Sequence, residues 1–185
     1  METQFAAGTL AVQVIVLVQP PVSLEDAPLR ETLKAVLAAP VARRVLALGG
    51  PGAGEDWLPA GFDLMGQRGG DYGERMSAVL ADAYATAALP MLLIRADALE
   101  ISADILEDAA RSLISAEADT AFGPASEGGF WLLGLRQPDR SLVAGLPAPG
   151  EGPGAGRLLL QRLASAGLRV ALAPRLETAG AALRF

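Results

Sequence analysis

Residues Gln67–Met76 read QRGGDYGERM, and they place three glycines, two acids and two arginines in a chain that is otherwise 51% hydrophobic. The pair Gly69-Gly70 lets the backbone approach a ligand closely or adopt a positive φ, which a side chain would hinder. Asp71 stands where a helix N-cap belongs, and Glu74 follows at the third helical position, which is the pattern of a capping box. The stretch therefore predicts a glycine turn that leads into a capped helix.

This glycine turn has two interpretations. Free N–H groups and the helix dipole attract anions, so the turn could hold a phosphate next to Asp71 and Arg75. It could equally be a plain turn before a capped helix with a solvated Arg75, because an isolated glycine-rich motif is a weak signal. In either case apolar residues at helical spacing continue the helix: Met76, Val79, Leu80, Ala83 and Tyr84.

The rest of the chain alternates apolar runs with helical patterns. Its 185 residues suggest a single domain that spans residues 1–185. The alternation predicts an α/β fold with a mostly parallel sheet, in which ligands bind beyond the carboxyl ends of the strands. The segment 145–156, GLPAPGEGPGAG, predicts a flexible loop. The predicted strands are Ala11–Val18, Val41–Leu48, Phe62–Gly66, Met91–Ile94, Asp119–Gly123, Phe130–Leu135 and Leu168–Leu172, with helices that begin near Ser23, Asp71, Ser102 and Arg157.

Composition excludes several kinds of chemistry. The chain has no cysteine and no histidine, which rules out thiolate catalysis, zinc–sulfur sites and a Ser-His-Asp triad. Any metal must therefore bind to oxygen ligands, which points to Mg²⁺, Mn²⁺ or Ca²⁺. The net charge of −6 argues against binding to nucleic acid. No apolar run is long enough to span a membrane and the N-terminus has no signal pattern, so we expect a cytoplasmic protein.

Two further positions carry candidate chemistry. Asp97 follows an apolar strand, where a carboxylate can hold a divalent cation that bridges phosphate oxygens. The turn Glu127-Gly128-Gly129 precedes another apolar strand; it permits close backbone approach, and Glu127 could orient a hydroxyl. The alternatives are a loop or cap aspartate and a plain turn.

Taken together, these segments resemble the small glycosyltransferase-A-like proteins called nucleotide-diphospho-sugar transferases, whose relatives include the glycosyltransferases of arsenosugar biosynthesis. The family's first block reads approximately Q-x-G-G-D-L-G-E-R-M, and only Tyr72 departs from it. The last block reads approximately G-P-A-x-D-G-G-Y-Y-L-I-G-L, where Glu127 replaces the aspartate. The residues that match this second block are Gly123, Pro124, Ala125, Gly128, Gly129, Leu132, Gly134 and Leu135.

The resemblance implies a Rossmann-like three-layer α/β/α sandwich with one late strand antiparallel. It implies a transferase that uses a nucleotide sugar or a nucleoside triphosphate with Mg²⁺ or Mn²⁺, and an acceptor that the sequence leaves open. Asp97 and Glu127 would be catalytic, and Asp97 and Glu177 would bind the metal. An Ala/Leu-rich chain with few charges could also expose a face that supports a homodimer. The implied nucleotide or substrate contacts are Gly69, Gly70, Asp71, Arg75, Gly128 and Gly129.

The departures from the family pattern fall mainly at positions that would contact phosphate or metal. The Lys-Thr-Arg-Leu segment expected after the first strand is absent, and Lys34 is the only lysine. Arg95 and Arg175 stand next to the two predicted metal positions, and Arg95 could pair with Asp97 and occupy the place of the ion. The segment 145–156 replaces a Trp-Ser-Thr segment. These changes leave two hypotheses: a metal-dependent transferase, or a catalytically degenerate relative that binds a ligand or a partner.

Overall fold

The computed structural model describes residues 7–19, 27–49, 59–151 and 154–179. Helices and strands alternate along most of the chain, as the periodicity predicts. The strands are β1 (Leu10–Val18), β2 (Val41–Leu48), β3 (Asp63–Gly66), β4 (Met91–Arg95), β5 (Thr120–Pro124), β6 (Phe130–Leu135) and β7 (Val170–Leu172). The helices are α1 (Ala27–Ala38), α2 (Tyr72–Thr86), α3 (Ala103–Ile114), α4 (Arg140–Val143) and α5 (Ala155–Ser165).

The seven strands form one sheet in the order β3-β2-β1-β4-β6-β5-β7. β6 runs antiparallel to both of its neighbours, while the other adjacent pairs are parallel. This arrangement confirms the predicted mostly parallel sheet with one late antiparallel strand. β1 is buried along most of its length because helices cover both faces of the sheet, which explains its continuous apolar sequence.

Two apolar cores lie on opposite faces of the sheet. One contains the buried faces of α1 and α3, including Leu33 and Leu106. The other contains the buried residues of α2, α4 and α5, including Met76 and Leu159. The chain is therefore the predicted three-layer α/β/α sandwich. Every helix in the described part is too short or too polar to cross a lipid bilayer.

The element boundaries differ from the predicted ones in a few places. α4 has no counterpart in the prediction, since its four residues are too few to show a helical period. Within the predicted loop 145–156, Leu146 is buried and α5 already begins at Ala155. The last strand is shorter than predicted and begins at Val170. The predicted helix start near Ser23 lies outside the described residues.

The backbone conformation of Ala116 is strained, and this strain can be tested. It follows the C-cap of α3, Ser115, and has a φ of 61°, which is the left-handed conformation that glycine favours at this position. We expect Ala116→Gly to raise the free energy of unfolding by about 0.5–1 kcal/mol, measured by urea denaturation. Ala166→Gly is the matched control, because Ala166 caps α5 with a φ of −78° and should not gain stability. A loss of stability in Ala116→Gly would contradict this account.

Candidate functional site

The order of the strands brings Asp97 and Glu127 to the same edge of the sheet. β4 ends at Arg95, and Asp97 lies just beyond its carboxyl end. Glu127 lies in the turn between β5 and β6, and β6 is the direct neighbour of β4. Arg95 and Glu127, which are 32 positions apart in sequence, therefore come into contact at this edge. The structure thus brings together the two residues that the sequence analysis predicted to be catalytic.

A buried arginine joins these two carboxylates. The Arg95 side chain is only 8% exposed, and its Nε and Nη2 donate to the two carboxylate oxygens of Asp97 at 2.9 and 2.7 Å. Its Nη1 donates to Oε1 of Glu127 at 2.5 Å. This confirms the predicted pairing of Arg95 with Asp97, and it adds Glu127 as a second partner. The bidentate geometry is the strongest form of an arginine–carboxylate contact.

Burial and charge act in opposite directions on this cluster, which consists of Arg95, Asp97 and Glu127. Burial alone would lower the pKa of Arg95, but the hydrogen bonds and charge of Asp97 outweigh it and raise that pKa. Burial alone would raise the pKa of Glu127, but the Arg95 charge and the hydrogen bonds to Glu127 outweigh it and lower that pKa. Arg95 therefore stays positively charged and Glu127 ionised at neutral pH.

Residues 174–179 pass over this edge of the sheet and fix Glu127 from the other side. The Thr178 hydroxyl, which is almost fully buried, donates to Oε2 of Glu127 at 2.8 Å. The backbone of the same segment bonds to both loops of the site, since Ala179 N–H donates to the Asp97 carbonyl at 2.9 Å and Ser126 N–H to the Leu176 carbonyl at 3.0 Å. Both carboxylates are therefore held in place by the chain itself.

At acidic pH, the free energy of unfolding should depend on the ionisation of Glu127. A carboxyl whose pKa is lowered by folding stabilises the native state above its usual value of 4.5, and that contribution is lost as the pH falls through the folded pKa. We expect the free energy of unfolding to fall more steeply below pH 4.5 in the native protein than in Glu127→Gln. Chemical denaturation at a series of pH values measures both slopes. Equal slopes would mean that the ion pair with Arg95 contributes nothing.

Tyr72, the first residue of α2, lies close enough to the cluster for the charges of Arg95 and Asp97 to affect its pKa. Burial raises the pKa of the Tyr72 phenol to about 12, with Arg95 opposing this shift and Asp97 adding to it. The phenol is therefore neutral at physiological pH. Tyr72 also lines a cleft on the surface.

The start of α2 has the predicted cap with one difference. The Asp71 carboxylate accepts from Glu74 N–H at 2.7 Å, as an N-cap should. The Glu74 carboxylate, however, accepts from Gly70 N–H at 2.8 Å and not from Asp71 N–H, because Gly69 with a φ of 120° turns the chain back toward it. Two N–H groups predicted to face an anion are thus already bonded to carboxylates of the chain.

Three of the predicted nucleotide contacts line one cleft of about 340 Å³. Arg75 projects into this region and is held by the Gly70 carbonyl at 2.7 Å. Asp97 and Glu127 do not line the cleft. The structure therefore divides the predicted site into a surface cleft and an ion cluster around the buried Arg95. The residues that line the cleft include Gly70, Asp71, Tyr72, Arg75, Leu146 and Glu151.

Two further contacts shape this edge of the sheet. Gln67 donates from its amide nitrogen to the carbonyls of Val18 at 2.7 Å and Ala47 at 2.8 Å, so it joins the carboxyl ends of β1 and β2. The sequence analysis assigned no role to Gln67. Its position directly after β3 was the feature of the sequence that could have indicated this contact. Gly156 at the start of α5 packs on the Gly128-Gly129 turn, and its N–H donates to the Gly128 carbonyl at 3.2 Å.

In the part of the chain that the structure describes, the residues at the predicted metal positions do not fit a divalent ion. Both oxygens of Asp97 bond to Arg95, and Glu177 is an exposed residue whose carbonyl accepts from Leu99 N–H at 2.8 Å. Arg175 contacts the Ser126 carbonyl at 2.8 Å. Among the described residues, no group of three carboxylates is arranged to hold a metal ion. The place beside Asp97 is taken by a guanidinium.

Comparison with solved structures defines the class of fold. A Desulfovibrio desulfuricans G20 protein, provisionally assigned as a nucleotide-diphospho-sugar transferase, has a TM-score of 0.78 at 17% identity over 92% of this chain and 82% of its own. CMP:2-keto-3-deoxy-manno-octonic acid synthetase in complex with CTP has a TM-score of 0.59 at 12% identity, over 89% and 90% of the two chains. This chain therefore has the fold of the nucleotide-diphospho-sugar transferases.

A third structure carries a metal as well as a nucleotide. Glucosyl-3-phosphoglycerate synthase from Mycobacterium tuberculosis, in complex with Mn²⁺, UDP and glucosyl-3-phosphoglycerate, has a TM-score of 0.56. Its identity to this chain is 13%, over 91% of this chain and 71% of its own. At this level of identity the likeness shows the fold alone.

The sequence itself defines the family. Residues 32–148 match the family DUF2064, which is described as uncharacterized proteins conserved in bacteria. The match covers more than half of the chain, so the protein belongs to this family. No curated protein matches the sequence. The relation to the glycosyltransferases of arsenosugar biosynthesis stays a prediction.

Proposed function

We propose that this protein binds a nucleotide or nucleotide sugar at the carboxyl edge of its sheet and does not carry out metal-dependent transfer. The observation that carries the proposal is the buried Arg95, which bonds to both oxygens of Asp97 and to Glu127. A metal-dependent transferase would need Asp97 as a ligand for the cation that neutralises charge on the leaving phosphate. In this chain that carboxylate is already neutralised by an internal cation.

The energetic argument concerns what a metal would have to displace. Binding Mn²⁺ at Asp97 would remove Arg95 from its bidentate partner and leave a buried guanidinium with fewer acceptors. Removing one partner of a buried ion pair costs about 3–5 kcal/mol, and the partial exposure of Asp97 reduces that figure here. A metal ion would have to offset this cost with few carboxylate ligands, although cations of this kind prefer several oxygen ligands.

The proposed ligand class follows from the fold and from the cleft. Proteins of similar fold are seen with CTP and with UDP. In this chain the Gly69-Gly70 turn and Arg75 lie where open α/β sheets bind ligands, and Gly70 and Arg75 line the same cleft. Arg75 is the cation available there for a phosphate oxygen.

A second candidate function is metal-dependent transfer from a nucleotide sugar. The Asp97 carboxylate is 38% exposed, which leaves it accessible to an ion that arrives with a nucleotide. The synthase of similar fold is seen with both Mn²⁺ and UDP. In this alternative, the nucleotide and its metal would together displace Arg95, with Glu177 as a further ligand.

Calorimetric titration separates the two candidates. We titrate three proteins with UDP-, GDP- and dTDP-sugars and with the free nucleotides, each with and without Mn²⁺. The proteins are the native chain, Asp97→Asn and the control Asp82→Asn. Asp82 serves as the control because its carboxylate pairs with Arg68, away from the site. We expect at least one nucleotide to bind with an affinity that Mn²⁺ leaves unchanged. Binding that requires Mn²⁺ and is lost only in Asp97→Asn would overturn the proposal, and so would the absence of binding by every nucleotide. Turnover of any sugar nucleotide would exclude the non-catalytic role.

A further inference from the structure

β7 lies at one end of the sheet, so one side of its backbone has no partner among the described strands. On its inner side, the Arg169 carbonyl accepts from Thr120 N–H at 3.1 Å, and Ala173 N–H donates to the Phe122 carbonyl at 2.8 Å. Parallel strands bond to one neighbour through alternate residues. The N–H and C=O groups of Val170 and Leu172 therefore point away from the sheet.

The outer side of β7 also carries exposed apolar surface. Leu172 is 73% exposed, which is the highest value among the large hydrophobic residues described. An apolar edge strand with unpaired backbone groups is a template for pairing with another strand, and stable monomers usually protect such edges with charges, proline or a covering element. Leu172 is neither charged nor a proline, and no described element covers it, although the three-residue length of β7 and Pro174 two residues later limit the edge.

We propose that two copies of this chain pair through β7 to form a homodimer, with antiparallel β7 strands and a two-fold axis through Ala171. In this register Val170 of each copy faces Leu172 of the other, and each facing pair exchanges two hydrogen bonds. The pairing satisfies all the outward N–H and C=O groups of Val170 and Leu172. Registers centred on Val170 or Leu172 would form only one such pair.

The side chains agree with this register. Val170 packs with the core on the face of α2 and α5, and Leu172 lies on the same face because side chains alternate along a strand. Each exposed Leu172 would therefore pack on Val170 of the second copy. The interface is self-complementary, as a two-fold symmetric contact requires.

Charges on the other face are also complementary. Arg169 would face Ala173 of the second copy, next to a groove lined by Asp108, Ala109 and Pro174. Asp108 is exposed and makes no ion pair with the described residues. The Arg169 Nε and Nη2 bond to its own Asp119, which leaves Nη1 to approach Asp108 of the second copy. The two-fold axis produces this contact twice.

Engineered cysteines test the register, since the native chain has no cysteine. In Ala171→Cys the two thiols would face each other in a non-hydrogen-bonded pair, where Cα atoms lie about 4.5 Å apart and a disulfide can form. Leu172→Cys is the matched control: it is more exposed, but its two copies lie two residues out of register and beyond about 7 Å. Mild oxidation followed by non-reducing electrophoresis measures the fraction of cross-linked dimer.

We expect Ala171→Cys to cross-link at least ten times faster than Leu172→Cys. Equal rates, or faster cross-linking of Leu172→Cys, would overturn the proposal.

Because the paired strands are short, the interface is small and the dimer reversible, so sedimentation is measured from about 10 µM to 1 mM. The native protein should approach twice the 19.0 kDa chain mass as its concentration rises, and Leu172→Lys should stay monomeric. The control Leu37→Lys places a charge on another exposed leucine and should dimerise like the native protein. A native protein that is monomeric throughout this range would also overturn the proposal.

Discussion

Arg95→Ala is expected to lower the free energy of unfolding by about 2–4 kcal/mol. The substitution removes the guanidinium that now bonds to the carboxylates of both Asp97 and Glu127. Removing one partner of a buried pair is costly because the remaining charges are left partly shielded from water without a counter-charge. The lower part of the usual range applies, since Asp97 is 38% and Glu127 22% exposed and water screens them partly.

Urea denaturation measures this loss, and Arg68→Ala is its matched control. Arg68 also forms a bidentate pair with an aspartate, Asp82, but its side chain is 70% exposed. We expect that variant to lose much less stability than Arg95→Ala, because solvent screens an exposed ion pair. Arg95→Lys should fall between the native protein and Arg95→Ala, because an ammonium keeps the charge but not the planar fork of donors. Equal losses in Arg95→Ala and Arg68→Ala would show that the buried cluster contributes no more than a surface pair.

Gly73→Ala is expected to destabilise the protein by about 3 kcal/mol or to prevent folding. Gly73 lies in the first turn of α2, and a methyl group there would overlap with the Val143 carbonyl oxygen and come within 2.7 Å of the Gly145 nitrogen. These are backbone atoms, so they cannot rotate away as a side chain could. The helix would have to move away from the segment 143–146, which forms one wall of the cleft.

The control for this change is Gly66→Ala at the end of β3, where a methyl group would meet no atom within 4 Å. We expect Gly66→Ala to change the free energy of unfolding by less than about 0.5 kcal/mol. Alanine favours a helix over glycine by about 1 kcal/mol, so propensity alone predicts that Gly73→Ala stabilises the protein. A Gly73→Ala protein with native or higher stability would contradict the packing described at this turn.

Local patterns in the sequence predict the elements whose signals lie within a few residues. The Asp71 cap, α2 and the central strands follow from a capping motif, a helical period and apolar runs. The antiparallel β6 was expected from the resemblance of the two glycine blocks to a known family. The Arg95–Asp97 pair was also expected, because the two residues are close in sequence and follow a strand.

Contacts between distant parts of the chain could not be predicted in the same way. Glu127 joins Arg95 over 32 residues and Thr178 over 51 residues, and neither contact has a local signal. The Gly73 contact with the segment 143–146 depends on how α2 and α4 pack, while α4 itself is too short to be seen in a periodic pattern. Matching Glu127 to a family position indicated its place in the turn but not its partner.

The central claim is that the Arg95 guanidinium takes the place of a divalent cation beside Asp97. Crystals of the native protein soaked with MnCl₂ and UDP test it directly, because anomalous scattering locates manganese. We predict no manganese peak at the Asp97 carboxylate and an intact pair between Arg95 and Asp97. A manganese ion bound to Asp97, with Arg95 displaced from it, would contradict the claim and restore metal-dependent transfer as the leading function.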